Sequence, residues 1–330
     1  MEFDNNKSLG FWSILLIFLR LGLTSFGGPV AHLGYFREEL VTKRKWLSEK
    51  SYADVVSLCQ FLPGPASSQV GMVLGYSQKG YLGVLAAWLG FTLPSAIVLI
   101  LFAYGITNHS QWVSTDVIHG LKIVAVAIVA QAVWGMAKNL CPDLVRIVLM
   151  LTAACLMLLF PSFIWGQIAV IIAAGIFGAL YFAPKQVAKH EPLPIQMSHT
   201  AGFIWITLFF ILLFALPALQ DFYSNQVLAM TSAFYRAGSL VFGGGHVVLP
   251  LLQAEVVPAG WVTNDTFMAG YGATQAMPGP LFTFAAFLGS VTTNSPTGWV
   301  GGVLCLVAIF IPSFLLVAGT LPFWETLRRR

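Results

Sequence analysis

Residues 18–33, FLRLGLTSFGGPVAHL, are repeated at 234–249 as FYRAGSLVFGGGHVVL, an offset of 216. Arg20, Gly22, Phe26, Gly27 and Gly28 fall on Arg236, Gly238, Phe242, Gly243 and Gly244. Self-similarity at a fixed offset is the mark of a duplicated supersecondary unit, and it continues outward. Glu39 falls on Glu255, Trp46 meets Trp261, and QFLPGP (60–65) meets QAMPGP (275–280). Gly80, Gly83, Pro94 and Ser95 then meet Gly298, Gly301, Pro312 and Ser313. The offset drifts by a residue or two while the motifs survive, as small insertions in a true repeat produce.

The setting of the repeat is a membrane. Of 330 residues, 57% are hydrophobic and 9% charged, against about 25% charged in a soluble domain. Thirteen acidic and seventeen basic groups cannot coat a water-soluble body of this size. Apolar stretches approaching the ~20 residues needed to cross a bilayer fall at 11–34, 54–76, 81–107, 117–138, 143–160, 163–182, 201–220, 228–251, 267–290 and 298–321. The expected fold is an all-α polytopic membrane protein of about ten hydrophobic segments. Residues 1–182 form the first repeat, 183–200 a polar linker and 201–330 the second.

The basic residues orient it, because cytoplasmic loops collect Lys and Arg. The loop at 35–53 holds Arg37, Lys43, Arg44, Lys45 and Lys50, whereas its repeat partner at 252–266 holds none. Equivalent loops on opposite faces are the signature of inverted repeats. The loop 35–53 and the C-terminus are expected in the cytoplasm. Each of the segments 11–34, 54–76, 228–251 and 267–290 carries a Gly/Pro break near its middle, and broken, partly re-entrant helices satisfy all the basic-residue placements.

Several chemistries are missing. The basic residues sit in short clusters beside apolar runs, so no nucleic-acid partner is expected beside membrane lipid. The four cysteines are far apart and form no metal-ligand spacing. No phosphate-binding loop, nucleophile elbow or paired-carboxylate motif occurs. An enzyme is not expected, nor is a cofactor.

What remains is the set of breaks. A helix that restarts inside a membrane presents unpaired N–H groups and a positive dipole end, glycines let a ligand approach that backbone, and prolines begin helices well. Gly27, Gly28, Pro63, Gly64, Pro65, Gly243, Gly244, Pro278, Gly279 and Pro280 are therefore candidates for an anion site near the midplane. Arg20 and Arg236 each precede their glycine pair by two helical turns, on the same face. Neither segment contains an acid to pair with its arginine, and the planar guanidinium suits oxyanions. Thr24, Ser25, Gln60, Ser68, Gln275 and Thr283 are candidate polar lining, although any could bond between helices. Glu39, His246 and Glu255 are candidate proton carriers.

These motifs resemble the chromate ion transporter family, over roughly 10–105 and 230–327. The resemblance rests on FLRLGLTSFGGPVAHL, KRKWLSEKSYAD, QFLPGPASSQVGMVLGY, FGGGHVVLPLL and QAMPGPLFTFAAFLG together. It implies an inner-membrane protein that moves chromate, usually outward, with Arg20, Arg236 and the glycines and prolines of the four breaks on the anion path. Sulfate or another oxyanion is the alternative cargo, and a membrane structural or assembly subunit the alternative role. Two-domain members of the family continue with further hydrophobic segments, so the resemblance also implies a shortened second half and possible reliance on a homodimer partner.

Overall fold

The computed structural model describes residues 9–108, 115–159, 166–182, 197–223, 225–242, 245–293 and 295–327. Among these every regular element is helical. The chain divides into two compact units, residues 1–125 with 191–330, and residues 126–190. Both sets of repeated motifs lie in the larger unit.

The four segments expected to be broken are the four that the structure divides. In the first repeat, α1 (Phe11–Thr24) is followed by α2 (Gly28–Phe36), which runs on through a wider π-turn at Arg37–Lys43. Then α3 (Glu49–Phe61) is followed by α4 (Ala66–Asn108). In the second repeat the same order returns as α9 (Gln226–Leu240), α10 (Val248–Val256), α11 (Asn264–Gln275), α12 (Phe284–Val291) and α13 (Gly298–Leu327). In chain order, α5 (Thr115–Leu140), α6 (Leu144–Leu159), α7 (Gly166–Tyr181) and α8 (His199–Phe222) separate the two sets of repeated motifs.

Local chemistry explains the equivalence. Ser48 caps α3 by accepting from the Ser51 amide at 3.1 Å, and Thr263 caps α11 by accepting from the Thr266 amide at 3.2 Å. Such caps satisfy one of the orphaned amides of a first helical turn. Within α4, Lys79 and Gly80 leave helical geometry, so α4 is two arms folded back on each other. Gly75 and Gly83 then lie directly against one another across the arms, as Gly289 and Gly301 do between α12 and α13. Backbones approach that closely only where no side chain intervenes.

The long arm of α4 buries α1, and α13 buries α9. Ile14, Phe18, Leu21 and Gly22 form the buried stripe of α1, the i, i+4, i+7, i+8 pattern of an amphipathic face. Gly22 lies on the carbonyls of Gly90 and Phe91, and its counterpart Gly238 lies on that of Ile309. Phe18, Phe36 and Phe91 interlock edge to face at centroid separations of 5.0–5.7 Å. Outside the core, α8 exposes Phe203, Ile204, Phe210, Ile211 and Phe214. An apolar face of that kind is unfavourable in water and normal against lipid. Among the described residues, three helical stretches, Ala66–Thr107 (bent at Lys79–Gly80), His199–Phe222 and Gly298–Trp324, are long and apolar enough to cross a bilayer. The protein is a polytopic helical membrane protein.

Several charges of the 35–53 loop pair locally. Arg37 pairs with Glu49 at 2.8 Å, and Arg44 with Glu39 at 3.0 Å. The Glu49 carboxylate holds the Arg37 guanidinium above its ordinary pKa.

Candidate functional site

Each helix break of one repeat is closed by the other repeat. After α3 the chain turns at Pro63-Gly64-Pro65, and the Gly64 amide donates 2.7 Å to the carbonyl of Val241, which ends α9. After α11 it turns at Pro278-Gly279-Pro280, and the Gly279 amide donates 3.0 Å to the carbonyl of Ser25, which ends α1. Ser25 and Val241 are repeat equivalents, as are Gly64 and Gly279. A reciprocal exchange of equivalent contacts is what a two-fold relation between repeats generates.

Both turns require glycine. Gly64 and Gly279 have φ of +117° and +102°, where a Cβ is disfavoured. A Cβ on Gly64 would also stand 2.5 Å from the Ser313 hydroxyl, and one on Gly279 2.7 Å from that of Ser95. Ser95 and Ser313 are again equivalents. Beside this junction, Gly245 faces Pro29 and Leu281, which brings the two Gly-rich breaks side by side. Gly243 and Gly244 themselves lie outside the described residues, as does the side chain of His246.

Three expectations change in the folded protein. First, the amides of Gly64 and Gly279 are not free donors, because the carbonyls ending α9 and α1 use them. Second, Arg236 has an acid partner: Glu255 folds back from α10 and holds its guanidinium in a two-pronged ion pair. The sequence hides this because the two are nineteen residues apart, and only the break between α9 and α10 turns the chain back. Third, the polar lining is divided. Ser25, Ser68 and Thr283 are buried at the junction, while Thr24 is exposed and bonds to the Arg20 carbonyl at 2.9 Å, and Gln60 is exposed. Gln275 is half-buried beside Tyr271.

Arg20 lies on the exposed side of α1. No carboxylate among the described residues makes an ion pair with it, since Glu39 is taken by Arg44 and Lys43. The two repeats thus hold equivalent charges in different arrangements. Gly27 is exposed and Gly28 partly so, whereas Pro65 and Pro280 are buried.

The structure adds residues that the sequence reading passed over. His32 is buried in α2, with Nδ1 3.4 Å from the Ser67 hydroxyl and its ring edge-on to Phe91 at 5.3 Å. Gln69 donates to the Pro63 carbonyl at 2.7 Å, bracing the first Pro-Gly-Pro turn. His32 stands one helical turn after Gly28, a spacing that would have singled it out. Thr92 has no such signal, because α4 brings it in from far along the chain.

A repeat-built helical membrane protein, interlocked through broken helices at its centre, is the class that this fold and site define. The chain belongs to the chromate transporter family, whose profile matches residues 12–179 and 228–330. It is 28% identical to an uncharacterized transporter of Methanocaldococcus jannaschii over 99% of this chain and 79% of that one. It is 28% identical to a probable chromate transport protein of Synechococcus elongatus, over 93% and 75% of the two chains. A chromate transport protein of Pseudomonas aeruginosa is 28% identical over 94% and 72%. No solved structure matches the chain.

Proposed function

We propose that the protein is a secondary transporter that carries chromate, a divalent tetrahedral oxyanion, outward across the cytoplasmic membrane, with the junction of the four breaks as its path. The observation that carries this reading is the reciprocal bonding of Gly64 to Val241 and of Gly279 to Ser25. Non-helical backbone survives at membrane depth only where it is buried in protein or lines a polar cavity. In repeat-built carriers such breaks mark the substrate site. Membership of the chromate transporter family and the names of the relatives support the same cargo.

The outward direction rests on electrostatics. A charge crossing 100 mV is worth about 2.3 kcal/mol, so a dianion gains about 4.6 kcal/mol on leaving a negative interior. That corresponds to a concentration ratio above a thousandfold, and export needs no coupling ion. Arg20, exposed and without an ion-pair partner among the described residues, is the charge that draws the anion in. The loop 35–53 and the C-terminus face the cytoplasm in this reading.

The test is chromate flux into everted membrane vesicles, with and without an imposed potential, with sulfate as competitor. Potential-driven chromate accumulation is expected. Accumulation of sulfate in preference to chromate would make the protein a sulfate carrier. An absence of flux for both anions in vesicles containing folded protein would leave only a structural role.

A further inference from the structure

The two repeats share a backbone plan but differ in what lines it. Ser25, His32, Ser67, Ser68, Gln69 and Thr92 are all buried around the first repeat's breaks, none more than 4% exposed. Their repeat counterparts are Val241, Val248, Phe282, Thr283, Phe284 and Phe310. In the second repeat five of these six positions are apolar. Phe282 packs against Phe310 at a ring separation of 5.9 Å, and the one hydroxyl among the six, that of Thr283, donates to the Pro280 carbonyl at 2.7 Å.

In the first repeat the polar groups lie along the breaks and are only partly satisfied. His32 meets the Ser67 hydroxyl, the edge of Phe91 and the backbone of Ser25. Thr92 follows Phe91 in the chain, and its carbonyl accepts from Ser95, the residue that confronts Gly279. Yet Ser25 Oγ, Ser68 Oγ, Gln69 Oε1 and Thr92 Oγ1 are buried without a hydrogen-bond partner among the described residues. Each such group is costly to bury, and a native fold that carries several at one place needs a reason for them. Ser313 Oγ, which confronts Gly64 at the same junction, is likewise unpartnered among the described residues, and unpartnered groups also occur away from the breaks, Ser232 in α9 among them.

We propose that this His32-centred cluster is the anion subsite, a single one displaced to the first-repeat side of the pseudo-two-fold axis, and that it holds a tetrahedral dianion through uncharged hydroxyl and imidazole donors. The proposal rests on the transporter reading above and adds to it where the anion sits. Hydroxyls rotate to present their protons to an oxygen arriving from any side. Neutral donors also bind weakly enough to release, as transport requires, whereas a fixed guanidinium pair would hold a dianion tightly.

The experiment is a calorimetric titration of the purified full chain in detergent micelles with potassium chromate and, separately, sodium sulfate, beside thermal melting without anion. The variants are Ser25→Ala, Thr92→Val and His32→Gln, with Ser232→Ala as control. Ser25→Ala and Thr92→Val each remove an unsatisfied hydroxyl, so they are expected to melt at or above the wild-type temperature while weakening chromate binding about tenfold. A merely structural role predicts lower melting and unchanged affinity. His32→Gln keeps a donor and is expected to lose less affinity than Thr92→Val. Ser232→Ala is expected to bind as wild type.

If wild type binds chromate and all three cluster variants bind equally well, the subsite is refuted and the cluster holds only water, while the transporter reading stands. An equal loss in Ser232→Ala also refutes it, because the effect is then not local. Wild type that neither binds nor transports either anion overturns the transporter reading, and this inference with it.

Discussion

The Arg236 guanidinium grips Glu255 through two parallel hydrogen bonds, Nε to Oε1 at 2.8 Å and Nη2 to Oε2 at 2.6 Å. The equivalent pair, Arg20 and Glu39, is not made: Glu39 bonds to Arg44 at 3.0 Å, and Arg20 is exposed. The repeats thus share the reciprocal backbone bonds at the breaks and differ in the charges beside them. Arg236 is a brace in this conformation, and Arg20 makes no ion pair among the described residues.

Breaking the brace has a cost set by its burial. The two side chains are 29% and 25% exposed, between the surface case worth under about 1 kcal/mol and the buried case of about 3–5 kcal/mol. Arg236→Gln and Glu255→Gln are each expected to destabilise by about 1–3 kcal/mol in thermal or denaturant unfolding. The double variant is expected to lose less than the sum. Strict additivity would mean that the pair contributes nothing as a pair.

Arg20→Gln should behave in the opposite way. With no partner to orphan, the change is expected to leave the melting temperature within about 2 °C of wild type. Chromate flux in vesicles is expected to fall about tenfold through loss of the charge that draws the anion in, with partial retention in Arg20→Lys. Normal flux in Arg20→Gln removes this residue from the anion path.

Gly64→Ala and Gly279→Ala test the interlock. Each places a Cβ at positive φ and against a serine hydroxyl, for an expected loss of about 2–3 kcal/mol. Pairing Gly64→Ala with Ser313→Ala clears the collision but not the backbone strain, so a partial recovery in melting temperature is expected. Full recovery would show that φ carries no strain there, and no recovery that the hydroxyl was never the obstacle.

Inversion of the repeats is tested by labelling. Thr42 and Ala259 are exposed near repeat-equivalent bends. In a chain with Cys141→Ser and Cys155→Ser, Thr42→Cys is expected to react with an impermeant thiol reagent only in everted vesicles. Ala259→Cys is expected to react only in right-side-out ones. Cys59 and Cys305 are fully buried and provide a silent background. Labelling of both from one side rules out the inverted arrangement.

The sequence by itself determined the membrane setting, the duplication and the places where helices break. These are local or periodic properties: the apolar runs, the matched FGG and PGP motifs, and the caps at Ser48 and Thr263 are all written in consecutive residues. Even the division of segments 11–34, 54–76, 228–251 and 267–290 into helix pairs followed from Gly and Pro chemistry alone. Partnership was different. That Gly64 bonds Val241, that Glu255 returns to Arg236, and that Thr92 and Ser95 come to the breaks were decided by tertiary structure. Those pairs join residues brought together only after α4 and α13 fold against α1 and α9. The Gly64 and Gly279 amides illustrate the limit, since sequence marks them as unsatisfied within their own helices and only packing reveals that the opposite repeat supplies the acceptor. His32 sits between the two cases: its place one turn after the break is legible, but its burial against Ser67 and Phe91 depends on contacts that no spacing along the chain encodes.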